Sequence, residues 1–146
     1  MLPKMAKAVG LLGMMTLSAQ ATILGDMSVQ ISGLGSCKGS LMLAVYDKAA
    51  GFMQIEQAVA KSRIPLSPAQ CEPSLTHHLA LAYGEYAVAV FHDDNGNGVL
   101  DSNWLGMPTE TWGVSNKVRP AMRAPDFGES RFSFTPTHTF ISIELQ

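Results

Sequence analysis

The sequence predicts an all-β protein, an antiparallel β-sandwich with one long functional loop. Three observations carry that prediction. Short segments of alternating apolar and polar residues recur along the chain. No long segment keeps the 3.6-residue period of an amphipathic helix. Clusters of Gly, Pro, Asn and Asp separate the alternating segments. The 146 residues, 47% hydrophobic and 15% charged, suit one domain of ordinary size and exclude a large multidomain enzyme. A formal net charge of −2 leaves no basic excess for holding phosphates, so nucleic acid is not the expected partner.

Residues 1–21 read as a cleaved secretory signal. Lys4 and Lys7 give a positive start, residues 8–17 are uncharged and mostly apolar, and Ala19-Gln20-Ala21 puts small residues where a signal peptidase reads. The apolar run is shorter than the roughly 20 residues that span a bilayer. No later run approaches that length, so no transmembrane segment is expected after cleavage. The domain would then be residues 22–146. Removing two of the ten basic residues leaves eight against twelve acidic ones, a net −4. The expected location is periplasmic or secreted. In such an oxidising compartment the pair Cys37 and Cys71 reads most simply as a disulfide, stabilising by about 4 kcal/mol in the chain-entropy model. Metal ligation or a redox pair would favour more closely spaced thiols.

Residues 27–34 open the domain as a half-buried strand, with Met27, Val29 and Ile31 on one face, ending at Gly33 and Gly35. Ser40–Tyr46 (SLMLAVY) is dense enough in apolar residues for an inner strand, and residues 47–51 supply a turn. Phe52, Ile55 and Val59 have helical spacing, which suggests a short helix or turn across residues 51–60. Residues 61–66 read as an edge strand, because Pro65 and Pro68 cannot donate to a ladder. Residues 75–81 alternate again, which sends His77 and His78 to opposite faces and prevents them from sharing a metal. After a turn at Tyr83-Gly84, residues 86–91 (YAVAVF) are the strongest strand, with aromatic and β-branched residues alternating with Ala. Residues 92–130 have no sustained period, a long loop of the kind that is commonly functional. Alternation resumes in residues 131–134 and 137–145.

That loop carries the chemistry. It begins His92-Asp93-Asp94-Asn95-Gly96-Asn97-Gly98-Val99-Leu100-Asp101. With Asp93 as position 1, oxygen-bearing side chains fall at positions 1, 3, 5 and 9, namely Asp93, Asn95, Asn97 and Asp101. Gly98 falls at position 6, where a calcium loop turns sharply, and Val99 offers its carbonyl at position 7. Leu100 is the apolar residue that pins such loops. Alternate residues point inward as the chain wraps, and a hard cation takes six to eight oxygens. Calcium is therefore the expected cofactor. Position 12, a bidentate Glu in an EF-hand loop, is Trp104 here, and no flanking helices are readable. Another carboxylate must close the shell. Glu110 is the nearest downstream acid, with Glu85 and Asp94 as weaker alternatives. With so few carboxylates, a dissociation constant of about 10⁻⁴ to 10⁻³ M is expected. The simpler alternative is an Asn-Gly-rich turn held by side-chain to backbone bonds.

Further candidates surround the loop. His92, Asp93 and Glu110 would make an acid, base or catalytic-metal cluster if they gathered in a cleft, which is the enzymatic alternative. Trp104 and Trp112 would serve as ligand contacts by stacking on a glycan or peptide, although anchoring a loop is the commoner use of such residues. No Gly-x-Ser-x-Gly nucleophile elbow and no phosphate-binding Gly-rich loop is present.

The stretch from Gly84 to Asp101, with Gly106-Met107-Pro108-Thr109-Glu110, Gly113-Val114-Ser115-Asn116 and Pro125-Asp126-Phe127, closely resembles the DUF2141 family of small exported bacterial proteins. The resemblance extends to LMLAVYD and the Phe52 turn. It implies an immunoglobulin-like or prealbumin-like β-sandwich in the periplasm or outside the cell, and it implies no particular activity. The Gly84-x-Tyr86 pair also resembles the strand start of prealbumin-like domains, where a Tyr closes the sandwich corner. The reading drawn from all of this is an exported binding or structural module whose calcium-ordered loop faces a protein or glycan partner.

Overall fold

The computed structural model describes residues 20–70 and 73–146. The signal segment, apart from Gln20 and Ala21, and Cys71 of the expected disulfide lie outside the described residues. Cys37 is not a free thiol. No described helix is long and apolar enough to cross a membrane.

Among the described residues, eight strands form two sheets. β1 (Leu24–Ser32) lies between β4 (Ser74–Ala82) and β8 (Phe140–Glu144). The second sheet runs β3 (Ala60–Pro65), β2 (Ser40–Tyr46), β5 (Gly84–Asp93), β6 (Trp112–Val114), and β7 (Phe132–Phe134) pairs with the start of β5. The all-β sandwich is the fold the sequence predicts. β3 is the expected edge strand, pairing β2 alone and ending at Pro65.

Period-two burial fixes the core. Met27, Val29 and Ile31 of β1 face Leu41, Leu43 and Val45 of β2 and Val88 and Val90 of β5, all essentially inaccessible to water. Phe132, Phe134, Ile143 and Leu145 complete it. At the corner between β4 and β5, the Tyr86 hydroxyl donates to the Ala82 carbonyl at 2.9 Å, the role the Gly84-x-Tyr86 resemblance implies. β1 begins three residues earlier than the alternation suggested, and Gly25 explains why the pattern hides it. A Cβ there would sit 2.5 Å from the Tyr83 ring and 2.8 Å from Phe134, so only glycine fits beneath these aromatics.

The sheets are antiparallel but for one pair, since β8 runs parallel to β1, with Val29 opposite Ile141. Such a pair needs a long crossover, which the whole chain between them supplies. One expectation needs correction: the stretch 92–130 is not a single loop. β6 pairs with β5 at Ala89–Phe91, a single turn α1 (Phe127–Ser130) follows, and its N-cap Asp126 forms a reciprocal capping box with Glu129. Ser115 staples these pieces together. Its buried hydroxyl accepts from Val88 N at 3.0 Å and donates to the Ser130 carbonyl at 2.5 Å, while Asn116 donates to the carbonyls of Glu129 and Arg131. At the far edge, Trp112 and Gln146 exchange backbone hydrogen bonds, so the C-terminal end of the first sheet joins the second.

Replacing Ser115 with Ala leaves the Val88 N–H buried without its partner. The expected loss is about 1–3 kcal/mol in urea unfolding; a change within error would refute the staple. A second prediction concerns His77, whose ring lies 3.0 Å from Ser62 across the sandwich edge. Burial first, and the neighbouring His78 second, hold its pKa below the usual histidine value of 6.5. The unfolded chain therefore takes up this proton first as pH falls, so stability declines as pH drops below about 6.5. His77→Gln should flatten that slope, read from melting temperature against pH.

Candidate metal centre

The site begins where β5 ends. Asp93 is its last residue, opposite Ser40 of β2, and is 0% exposed. Gly39 makes this approach possible: it has φ +70°, and a Cβ there would meet the Asp93 carbonyl oxygen at 2.0 Å. The chain then winds back on the Asp93 carboxylate. Oδ1 accepts from Gly96 N at 2.9 Å and Asn97 N at 3.1 Å, and Oδ2 accepts from Gly98 N at 2.8 Å. Gly96 and Gly98 both have φ +78°, so the two left-handed turns fall on glycine. One lone pair of Oδ2 stays outside these bonds.

The next two amides repeat the device on a smaller scale. Asn95 Oδ1 accepts from Asn97 N at 3.0 Å, and Asn97 Oδ1 accepts from Val99 N at 2.9 Å. Their Nδ2 groups turn to one carboxylate: Asn95 donates to Asp101 Oδ2 at 2.5 Å, and Asn97 to Asp101 Oδ1 and Oδ2 at 2.9 and 3.1 Å. Asn95, Asn97 and Asp101 thus converge. Val99 stands 61% exposed on the outside. Leu100 does not enter the core between the sheets. It lines an apolar groove of about 300 Å³ on the outer face of β2 and β5, with Met42, Phe91 and Trp112.

Glu110 reaches the loop, in a role the sequence did not assign. Its Oε1 accepts from Asp94 N and its Oε2 from Asp101 N, both at 3.1 Å. It clamps the two ends of the loop and spends an acceptor on each. A side hairpin delivers it: Ser102 bridges to Pro108, and Thr109 N and Oγ1 both donate to the Asp101 carbonyl. Trp104, at the twelfth position, is 90% exposed. Trp112 lies in β6 with the Arg119 guanidinium 4.5 Å from its ring centre, so one face is already stacked.

The proposed trio of His92, Asp93 and Glu110 does not gather. Adjacent residues of a strand point to opposite faces. The Asp93 carboxylate turns into the loop, whereas His92 is buried with Nε2 donating to the Lys38 carbonyl at 2.7 Å. His92 and Glu110 do line one polar depression of about 400 Å³, together with Ser36, Asp94, Asp101 and Thr111. Among the described residues, no three His, Cys, Asp or Glu side chains gather as metal ligands. What converges at the loop is one carboxylate and two carboxamides, whose Nδ2 groups face the carboxylate while their oxygens accept from Asn97 N and Val99 N. The oxygens of these side chains are hard donors, which suit a hard cation and not a soft one.

Two contributors had no signal of their own in the sequence. Ser36 donates to Asp94 Oδ1 at 2.5 Å from the β1–β2 connection, and Asn103 organises the side hairpin. Asn103 is one more Asn in an Asn-rich stretch, and Ser36 lies far from the loop in sequence.

Asp93→Ala removes three hydrogen bonds to a buried carboxylate. The expected cost is about 3 kcal/mol in chemical denaturation with chelator present, together with loss of amide-exchange protection at Gly96, Asn97 and Gly98. Unchanged protection at these three amides would show that the loop is held by something else.

A family model described as an uncharacterized protein conserved in bacteria (DUF2141) matches residues 29–142. No curated protein and no solved structure matches the chain.

Proposed function

The chain belongs to the DUF2141 family, and we propose that it is an exported binding or structural module whose 93–101 loop takes calcium. The observation that carries this reading is the convergence of Asn95, Asn97 and Asp101 around a loop already wound on Asp93. The loop's shape is built without the ion, so binding need not meet the full cost of ordering it. The donors would be the remaining lone pair of Asp93 Oδ2, the amide oxygens of Asn95 and Asn97, the Val99 carbonyl and the Asp101 carboxylate. Glu110, as clamp, would act from behind by fixing Asp94 and Asp101. Ion binding requires Asp101 to exchange its amide N–H partners for the cation, and the Asn95 and Asn97 side chains to turn their oxygens toward it. That exchange, with only two carboxylates in the set, argues for weak affinity, about 10⁻⁴ to 10⁻³ M. Calcium concentrations of that order belong outside the cytoplasm, in keeping with the signal-like start of the sequence. A Cys37–Cys71 bridge belongs to the same reading, supported by Cys37 not being a free thiol.

Calcium at 10 mM should stabilise the fold by about 1.4–2.7 kcal/mol through mass action, a rise of several degrees in Tm. Asp101→Ala and Asn97→Ala should abolish the rise, and each should lower the metal-free Tm by no more than the loss of its exposed hydrogen bonds allows. Zinc should not substitute. No calcium response in the wild type, or a response only to zinc, would overturn the proposal, and the zinc outcome would direct attention to the His92 depression.

A further inference from the structure

The side hairpin that returns Glu110 to the loop has a feature that metal binding does not use. From Ser102 to Thr109 the chain carries no charge. At its tip Trp104 is 90% exposed, Leu105 65% and Met107 56%. Three large apolar side chains side by side in water are an unfavourable arrangement for a free surface. They are held there by a built turn. Asn103 N donates to the Met107 carbonyl at 2.8 Å, and Gly106 N to the Asn103 carbonyl at 2.9 Å. The Asn103 side-chain oxygen accepts from Leu105 N at 2.9 Å and Met107 N at 3.1 Å. Gly106 adopts φ +76°, and Pro108 has no N–H to satisfy.

We propose that this tip is a lipid-surface anchor, with Trp104, Leu105 and Met107 entering the headgroup–acyl boundary of a bilayer. Three arguments favour lipid over a protein partner. Leaving water costs several kcal/mol for each unsatisfied backbone polar group, and the N–H groups of Asn103, Leu105, Gly106 and Met107 are already satisfied within the tip. Tryptophan is the side chain that settles at the bilayer interface, where its ring is apolar and its N–H stays wet. The exposed area of these three side chains is on the order of 400 Å², about half of the roughly 800 Å² each partner contributes to a stable protein interface. A membrane surface sets no such minimum. With only three anchors, attachment is reversible.

The anchor does not rest on the calcium reading, and the test separates them. The protein is sedimented with phosphatidylcholine vesicles, with chelator and again with millimolar calcium. Wild type should partition to the vesicles, and Trp104→Ser should lower the partition coefficient at least about tenfold. The variant's Tm should match wild type, because Trp104 supports no packing. In a Trp112→Phe form, the remaining Trp104 emission should shift to the blue with vesicles and be quenched by lipids brominated on their acyl chains. Binding equal in both arms supports the anchor alone, and binding only with calcium supports the anchor and the metal site together. No sedimentation in either arm, or equal sedimentation of Trp104→Ser, overturns the proposal. Trp104 shielded from acrylamide without lipid, in a manner that grows with protein concentration, also overturns it in favour of self-association.

Discussion

A buried carboxylate needs hydrogen-bond donors, and at the end of β5 the donors available are the backbone amides that follow it in sequence. Asp93 is inaccessible to water and takes three of them, from Gly96, Asn97 and Gly98. That requirement curls the chain immediately after the strand. It demands glycine at two turns and brings Asn95 and Asn97 to the same side as Asp101. It also sets the point from which the side hairpin leaves, and therefore where Glu110 returns. The loop's form follows from satisfying one charge within the protein, before any ligand is considered.

Support from the rest of the sandwich is distributed in the same manner, through side chain to backbone bonds at places where strands are too short to hold themselves. β6 has three residues and β7 has three. Neither would be stable as an isolated pair, and each borrows order from β5. Ser115 and Asn116 tie the end of β6 to α1, and Trp112 ties its start to Gln146. Gly113 lies between, where a Cβ would approach the Glu144 carbonyl to 2.5 Å. The segment Gly113-Val114-Ser115-Asn116 thus joins both sheets and the following turn through four consecutive residues.

What the sequence disclosed, and what it withheld, follows from the range of each interaction. The faces of β1, β2 and β5 were legible because burial in a two-layer fold repeats every second residue, so Met27, Val29 and Ile31 declare themselves. The spacing of Asp and Asn in the loop was legible because Asx turns act over two to five residues. β6 and α1 were not legible, because three and four residues hold no measurable period and their order comes from partners far away in sequence. The parallel pairing of β8 with β1 belongs to the same class. Glu110 was located as an acid near the loop, but its bonds to the Asp94 and Asp101 N–H groups had no signal in the sequence. Whether a carboxylate meets a cation or two amide N–H groups depends on the hairpin between residues 102 and 108, which composition does not describe. Trp104 was legible only as an aromatic in a loop, because exposure is a property of the folded surface.

Asp101 occupies two structures at once. Its carboxylate gathers the Asn95 and Asn97 amides, while its carbonyl and N–H hold Thr109 and Glu110 at the base of the side hairpin. Backbone and side chain of one residue cannot move independently by much when both are bonded. A cation that drew the Asp101 carboxylate away from the amides would act on the residue where the uncharged tip begins. An apolar surface that fixed the tip would in turn limit the positions open to that carboxylate. Thermodynamic reciprocity makes these the same free energy read from two ends. Any such coupling would pass through Asp101 and the Glu110 clamp, because those are the contacts that bind the loop to the hairpin.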